Sequence, residues 1–222
     1  MWRDALLVAG KDLRIELRSR VVLNQVAPFA VLVLVLFAFA LGPQRGPMVQ
    51  AAPGLFWVAV LFAAVLAVQR STAVESTEGT RDGLRAAGLD PAGVFLGKTG
   101  AVALELVVLE AFLTGGVLLF YGVTVHSAGL LVVASLVGTA GLAAVGTLYG
   151  ALSSGLRVRE TLLPLLLLPV AAPVLLAGTR VWQAAFATHA TAGDPWLRLL
   201  LVFAAVYLAL GVVIFGPLQE AS

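Results

Sequence analysis

Unbroken apolar blocks of about twenty residues alternate with short polar segments along this chain of 222 residues. One such block can cross a bilayer as a helix. Six blocks use up most of the chain, so the pattern predicts a single transmembrane domain, residues 1–222, in an all-α membrane protein. The predicted spans cover residues 21–41, 49–69, 99–121, 128–152, 161–179 and 196–217.

Residues 1–20 have a different pattern, with apolar and charged residues on separate sides of one helix. The apolar side holds Trp2, Leu6, Ala9, Leu13 and Leu17, at helical spacing. The charged side holds Asp4, Lys11, Arg14 and Arg18. This pattern is typical of an amphipathic helix that lies in the membrane interface. A cytosolic helix packed on a partner is the alternative, but the first span follows at once and favours the interface.

Composition narrows the class of protein further. Apolar residues make up 60% of the chain and charged residues 12%, about half the usual charged share of a soluble domain. There is no cysteine, which excludes disulfides, thiolate metal sites and thiol catalysis. The sequence contains no Walker A, HExxH or GxSxG motif. We therefore expect a non-catalytic membrane protein with no tightly bound cofactor and no nucleic-acid partner.

The distribution of basic residues predicts the orientation. With the N-terminus inside, the inner segments hold eleven of the fourteen Lys and Arg residues. The outer segments hold the other three, which are Arg45, Arg180 and Arg198. Because cytoplasmic loops carry the excess of Lys and Arg, both termini are predicted to be cytoplasmic.

The longest polar segment, residues 70–98, is the first candidate for a functional surface. Its charged residues have opposite signs at helical spacing, and Asp90-Pro91 is typical of a helix N-cap and first position. The segment predicts one or two short surface helices that dock into a cytosolic partner, although a solvated connector is the alternative. The predicted contact residues are Glu75, Glu78, Arg81, Asp82, Leu84, Arg85 and Leu89, with Arg157, Arg159 and Glu160 in a second inner turn.

Two carboxylates, Glu105 and Glu110, lie within the third predicted span. A charge in a bilayer is costly, so such residues usually face protein or water. They are five positions apart, about 140° around a helix, and so do not share a face as an acid/base pair would. Either they are buried acids, protonated or hydrogen-bonded to other helices, or they form a polar patch on a substrate path or subunit interface.

Other residues have weaker implications. His126 and His189 map to the outer side and could ligate haem, but an ordinary surface role is more common. Trp182 and Trp196 suit an interfacial belt. Three prolines in the fifth span suit a kinked helix. Four glycines of the fourth span would let helices approach closely; they are Gly138, Gly141, Gly146 and Gly150.

Four stretches resemble the CcmB family, the membrane subunit of the ABC transporter-like complex in bacterial cytochrome c maturation. They read KDLRIELRSR, APGLFWVAVLFAAVLAVQR, EGTRDGLRAAGLDPAGVFLGK and RVRETLLPLLLLPVAAPVLLAG. The resemblance covers nearly the whole chain, and the last two stretches are the more specific. The family usually has a proline where Gly88 stands, which predicts a different local backbone here.

The resemblance implies six helices of the type 2 ABC exporter kind in the bacterial inner membrane. It also implies two copies of the subunit, a cytosolic CcmA-like ATPase, CcmC-like and CcmD-like membrane proteins and a CcmE-like haem chaperone. ATP would then act only through the ATPase. Haem is a possible cargo, but ATP-driven release of the haem-loaded chaperone is equally compatible. The Trp-rich haem motif of CcmC is absent, which argues against direct haem handling.

Three functions remain open at this stage. The first is a membrane subunit for cytochrome c biogenesis that converts closure of an ATPase into movement of its helices. The second is a type 2 ABC permease for another cargo, such as a drug, lipid or polysaccharide. The third is an assembly scaffold that moves nothing, and it would not co-purify with an ATPase.

Overall fold

The structure is a computed structural model that describes residues 1–19, 24, 27–40, 45–77, 88–153, 159–187 and 193–221. Within these ranges, the side chains of residues 29, 45, 74–77, 159–161 and 219–221 fall outside the description. The described residues form seven α-helices. They are α1 Trp2–Ser19, α2 Ala27–Ala40, α3 Arg45–Thr77, α4 Pro91–Tyr121, α5 Ala128–Ser153, α6 Arg159–Phe186 and α7 Asp194–Ala221.

Five of the helices are long and apolar enough to cross a membrane. They confirm the all-helical class, and each of the five overlaps a predicted span. The candidate spans are Gly46–Ala73, Pro91–Tyr121, Ala128–Ser153, Leu162–Phe186 and Asp194–Leu218. The first predicted span corresponds to α2, a 14-residue apolar helix over its described length. The arrangement of six spans therefore stays a prediction.

The connections around residue 80 and residue 187 are shorter than predicted. Helix α3 continues past its span to Thr77, because no glycine or proline interrupts it between Gly54 and Gly79. Helix α6 likewise continues through Arg180 to Phe186. Within segment 70–98, residues 70–77 belong to α3 and residues 91–98 to α4, while residues 78–87 lie outside the described residues, so the short surface helices stay a prediction.

The predicted start of α4 is confirmed. Asp90 is the N-cap, and its Oδ2 accepts a hydrogen bond of 3.1 Å from the backbone N of Gly93. Pro91 occupies the first turn, where its missing N–H costs nothing. Gly88 has φ +62°, which a proline cannot adopt, so the local backbone differs from one with proline there.

Glycines bring α5 close to its neighbours, as predicted. A Cβ built on Gly146 would lie 2.6 Å from Val68 of α3, and one on Gly150 would lie 2.8 Å from Thr72. A Cβ on Gly141 would lie 2.9 Å from Phe203 of α7. Because the side chain is missing at these positions, the helices pack at short separation.

The core of the bundle is aromatic where α3, α5 and α6 meet. Trp57 is fully buried, and its ring occupies the space that a Cβ at Gly138 or at Gly178 would fill. Phe56 stacks on Trp182 with ring centroids 3.7 Å apart. The Trp182 Nε1 donates to Ser135 Oγ at 3.3 Å.

The prediction that Trp182 belongs to an interfacial belt is wrong, because this ring is fully buried. Trp196 is half-buried and packs against the same core. A tryptophan near the end of a predicted span can lie either in the membrane interface or in the core between helices. Sequence alone does not distinguish these positions, because the burial of Trp182 depends on the packing of α3 on α6.

Candidate functional site

Helix α1 docks on the first two turns of α4 through two glycines. A Cβ on Gly93 would lie 2.6 Å from the carbonyl oxygen of Met1, and one on Gly97 would lie 2.5 Å from that of Ala5. Both distances are too short for a real Cβ, so only glycine admits the backbone of α1 here. Ala5 and Val8 are the buried residues of α1 at this contact. The G-x-x-x-G spacing is a known signature of close helix packing and could have revealed the contact from sequence.

Charged groups fix the beginning of α1 to the N-cap of α4. The amino group of Met1 lies 3.1 Å from Asp4 Oδ2 and 3.6 Å from Asp90 Oδ2. The hydrogen bond with Asp4 raises the pKa of this amine, and the same bond lowers the pKa of the Asp4 carboxyl. Asp4 Oδ2 also accepts a 3.4 Å hydrogen bond from the backbone N of Asp90.

A small polar cavity lies where α1, α3 and α4 meet. Its volume is about 30 Å³, close to that of one water molecule. The ionisable residues that line it are Asp12, Glu16, Arg70 and Glu105. Arg70 Nε of α3 donates to Glu16 Oε2 of α1 at 3.2 Å, which ties α1 to a second span.

Glu105 and Glu110 lie at different interfaces of α4. Glu105 is half-buried at the polar cavity, among charges of α1 and α3. Glu110 is 3% exposed and accepts a hydrogen bond from Thr139 Oγ1 of α5. The two carboxylates therefore do not form an acid/base pair, as their spacing indicates. Both face protein rather than open lipid.

The far end of α4 is held by other groups. The hydroxyl of Tyr121 donates to the carbonyl oxygen of Leu34 in α2 at 2.8 Å. His126 follows α4, and its Nδ1 lies 2.8 Å from the carbonyl oxygen of Phe186. These contacts give His126 a role in joining the α4–α5 turn to α6. His189 lies outside the described residues.

The predicted ATPase contacts fall mostly beyond what the structure describes. Outside the described residues are Glu78, Arg81, Asp82, Leu84, Arg85 and Arg157. Glu75 lies in the last turns of α3, and Arg159 and Glu160 begin α6. Leu89 packs against the chain's own cluster around Phe95 and Phe215, so part of its apolar surface is already covered. The role of these residues toward a partner stays a prediction.

The described helices define an α-helical integral membrane protein in which a short amphipathic helix is fastened across the ends of two spans. Among the described residues, no group of His, Asp or Glu is arranged to hold a metal ion. A family model described as CcmB protein matches residues 3–217. The chain belongs to the CcmB family, the haem exporter B subunits of cytochrome c biogenesis. A search among curated proteins gave no match.

Proposed function

We propose that this chain is the membrane subunit of a haem exporter ABC complex in cytochrome c biogenesis. It converts closure of a cytosolic ATPase into movement of its spans. The observation that carries the proposal is the family match over nearly the whole chain. Neither the cargo nor the type 2 six-span arrangement follows from that match, so both belong to the proposal.

The geometry of α1, α3 and α4 supports this coupling role. The segment between Thr77 and Gly88 joins the end of α3 to the start of α4, so a push on it acts on two spans at once. Helix α1 is fastened to α4 through Gly93 and Gly97 and to α3 through Arg70. The three helices therefore move as one unit when a partner displaces the segment.

The family match supports a set of proposed partners. They are a CcmA-like ATPase, CcmC-like and CcmD-like membrane proteins and a CcmE-like haem chaperone, with two copies of this chain. The chain itself carries out no catalysis, and haem is cargo rather than a resident cofactor. ATP acts through the ATPase alone.

The test reverses two charges of the connecting segment in the intact complex. Glu78→Lys with Arg81→Glu preserves the net charge, and we expect it to weaken recovery of the ATPase in pull-down or to lower the yield of cytochrome c. The control is Asp194→Lys with Arg198→Glu, an exposed pair of opposite charges four positions apart at the other end of the bundle. Membrane levels are checked by blot. If ATPase recovery and cytochrome c yield both stay at wild-type values, the segment only connects α3 to α4 and does not contact the ATPase.

Two results would replace the proposed function. If cells that lack this chain no longer export another cargo but still make normal amounts of cytochrome c, the chain is a permease for that cargo. Absence of an ATPase from the purified wild-type complex would indicate a scaffold. Loss of cytochrome c alone supports the proposal.

The proposed orientation in the bacterial inner membrane, with both termini in the cytoplasm, is tested by thiol labelling. The chain has no cysteine of its own, so an introduced cysteine gives a clean signal. Cysteines introduced by Ser76→Cys and Ser154→Cys should be protected from an impermeant reagent in intact cells. A cysteine introduced by Thr188→Cys should react. Labelling at position 76 from outside would reverse the orientation.

A further inference from the structure

Helix α1 separates its charges between two sides. Its acids face the protein: Asp4 contacts the Met1 amine, the Asp12 side chain is 15% exposed, and Glu16 pairs with Arg70. The arginines lie on the other side, where Arg3, Arg14 and Arg18 are all exposed. The outward side of α1 is therefore positive, although the helix as a whole holds both signs.

The apolar side of α1 is not covered by the bundle. Trp2, Leu6 and Leu17 are 71%, 75% and 72% exposed. The helix contacts α4 through Ala5 and Val8 instead, so the large apolar residues point away from that contact. Burying such side chains in an apolar phase contributes roughly 1.5–3 kcal/mol each, and the leaflet is the nearest such phase.

A groove of about 300 Å³ runs along α1 between these two kinds of surface. Its apolar lining includes Leu6, Leu7 and Ile15. Its basic lining consists of Lys11, Arg14 and Arg18. An apolar wall beside cations matches a ligand with an acyl chain and a phosphate.

The position of α1 places this groove at the edge of the membrane. Gly93 and Gly97 hold α1 against the first two turns of the candidate span that begins at Pro91. Glu16, near the other end of α1, pairs with Arg70, three residues before the end of the candidate span Gly46–Ala73. Helix α1 therefore runs along the start of α4 to the end of α3, where the α3 span leaves the bilayer at the level of the headgroups.

We propose that the groove of α1 binds an anionic phospholipid of the adjoining leaflet. Arg14 and Arg18 contact its phosphate and charged headgroup, while Leu6 and Leu7 contact the upper part of an acyl chain. Lys11 also lines the groove, but its Nζ pairs with Asp12 Oδ1 at 3.0 Å, so it is not assigned a lipid contact. A helix can lie in the interface of a bilayer of any lipid, whereas this proposal requires selection of an anionic headgroup. The proposal depends on neither the cargo nor the ATPase.

The test measures which lipid lies beside α1 in the purified full chain. Gly10 lines the groove, and a Cβ there meets no atom within 4 Å, so Gly10→Cys introduces one thiol for a fluorophore. The protein is placed in nanodiscs of phosphatidylcholine that contain matched fractions of nitroxide-labelled phosphatidylglycerol or nitroxide-labelled phosphatidylcholine. The ratio of the two quenching constants reports headgroup selectivity.

Two controls match this measurement. Gly129→Cys carries the fluorophore at the other end of the bundle, where a Cβ also meets no atom within 4 Å. Arg180→Gln with Arg198→Gln removes two exposed charges at that other end. The test variant is Arg14→Gln with Arg18→Gln, which removes the charge but keeps a polar side chain that can donate a hydrogen bond.

We expect phosphatidylglycerol to quench the fluorophore at position 10 better than phosphatidylcholine. The Arg14 and Arg18 variant should reduce that preference by about 5-fold or more, because each basic residue near an anionic surface strengthens the binding of anionic lipid several-fold. High salt should reduce it as well. The control variant and position 129 should show no such change.

Three outcomes would overturn the proposal. Equal quenching by both lipids at position 10 would show apolar insertion without headgroup selection. A preference that survives loss of Arg14 and Arg18 would place the selectivity elsewhere. Quenching by neither lipid would mean that protein, not lipid, covers this side of α1.

Discussion

Two regions of this molecule use the missing side chain of glycine for close packing, but what packs against the glycines differs. On α4, Gly93 and Gly97 make room for the backbone of α1. On α5 and α6, Gly138 and Gly178 make room for the ring of Trp57. The first contact attaches a helix to the outside of the bundle. The second fills its centre.

The first pair of glycines serves to attach α1 to the bundle, whereas the second pair serves the folding of the bundle itself. Trp57 is fully buried and meets Phe56 edge-on, with ring centroids 5.7 Å apart, so its slot is part of the core that holds three spans together. Helix α1 fully buries only Ala5 and Val8, and four of its large apolar residues are exposed, namely Trp2, Leu6, Leu7 and Leu17. A change at the first region should therefore release one helix, whereas a change at the second should weaken the whole bundle.

The largest effect is expected from Gly178→Ala. The added Cβ would overlap the six-membered and five-membered rings of Trp57, which Gly138 confines from the other side. Overpacking of this kind costs about 1–3 kcal/mol. We expect the midpoint of unfolding in a denaturing detergent titration to fall. Gly129→Ala is the control, because a Cβ there meets no atom within 4 Å. An unchanged midpoint for Gly178→Ala would show that the ring is not confined.

The next effect is expected from Gly97→Ala, and it should be local. Its Cβ would meet the backbone of α1 at Ala5, whereas a Cβ on Gly100 of the same helix meets no atom within 4 Å. Both substitutions gain about the same helix propensity, up to ~1 kcal/mol, so the comparison isolates the contact. We expect Gly97→Ala alone to increase tryptic cleavage within α1 by roughly 5-fold to 30-fold, for a loss of about 1–2 kcal/mol in docking.

The unfolding midpoint of the spans should change little in Gly97→Ala. A large fall in the midpoint, equal to that of Gly178→Ala, would show that α1 belongs to the folding core after all. Equal cleavage in the Gly97 and Gly100 variants would show that α1 does not dock through Gly97.

Sequence patterns alone predicted the features that depend on one helix at a time. Apolar length predicts five of the candidate spans, and Asp90-Pro91 predicts the start of α4. Most features that depend on two helices were missed, apart from the close approach of α5 to its neighbours through its glycines. The apolar side of α1 could not show that Ala5 and Val8, and not Leu6, form the protein contact. The burial of Trp182 likewise depends on Phe56, which is far away in sequence.

The end of α3 shows another limit of the sequence pattern. Polarity indicates where a helix leaves the bilayer, not where it ends, so a span prediction ending at residue 69 missed the continuation to Thr77.

A smaller effect is expected from Glu110, which joins α4 to α5 through Thr139. Glu110→Gln keeps a side-chain oxygen that can accept from Thr139 Oγ1, so its effect on the unfolding free energy should be slight. Glu110→Leu should cost about 0.6 kcal/mol, a typical value for a hydrogen bond between helices in a membrane. Adding Thr139→Val to Glu110→Leu should recover much of the loss. If Glu110→Gln alone abolishes cytochrome c maturation at normal protein levels, the charge itself has a function.

The smallest effect is expected from the pair of Glu16 and Arg70, which joins α1 to α3 at 3.2 Å. The side chains are 12% and 25% exposed, so water and salt screen the pair only in part. A double-mutant cycle with Glu16→Gln and Arg70→Gln should give a coupling of roughly 0.5 kcal/mol, read from tryptic cleavage within α1. The coupling should decrease at high salt, unlike the steric effect of Gly97→Ala. A coupling of zero would mean that α1 is attached to α4 alone, and that displacement of the α3–α4 segment reaches α1 through one span instead of two.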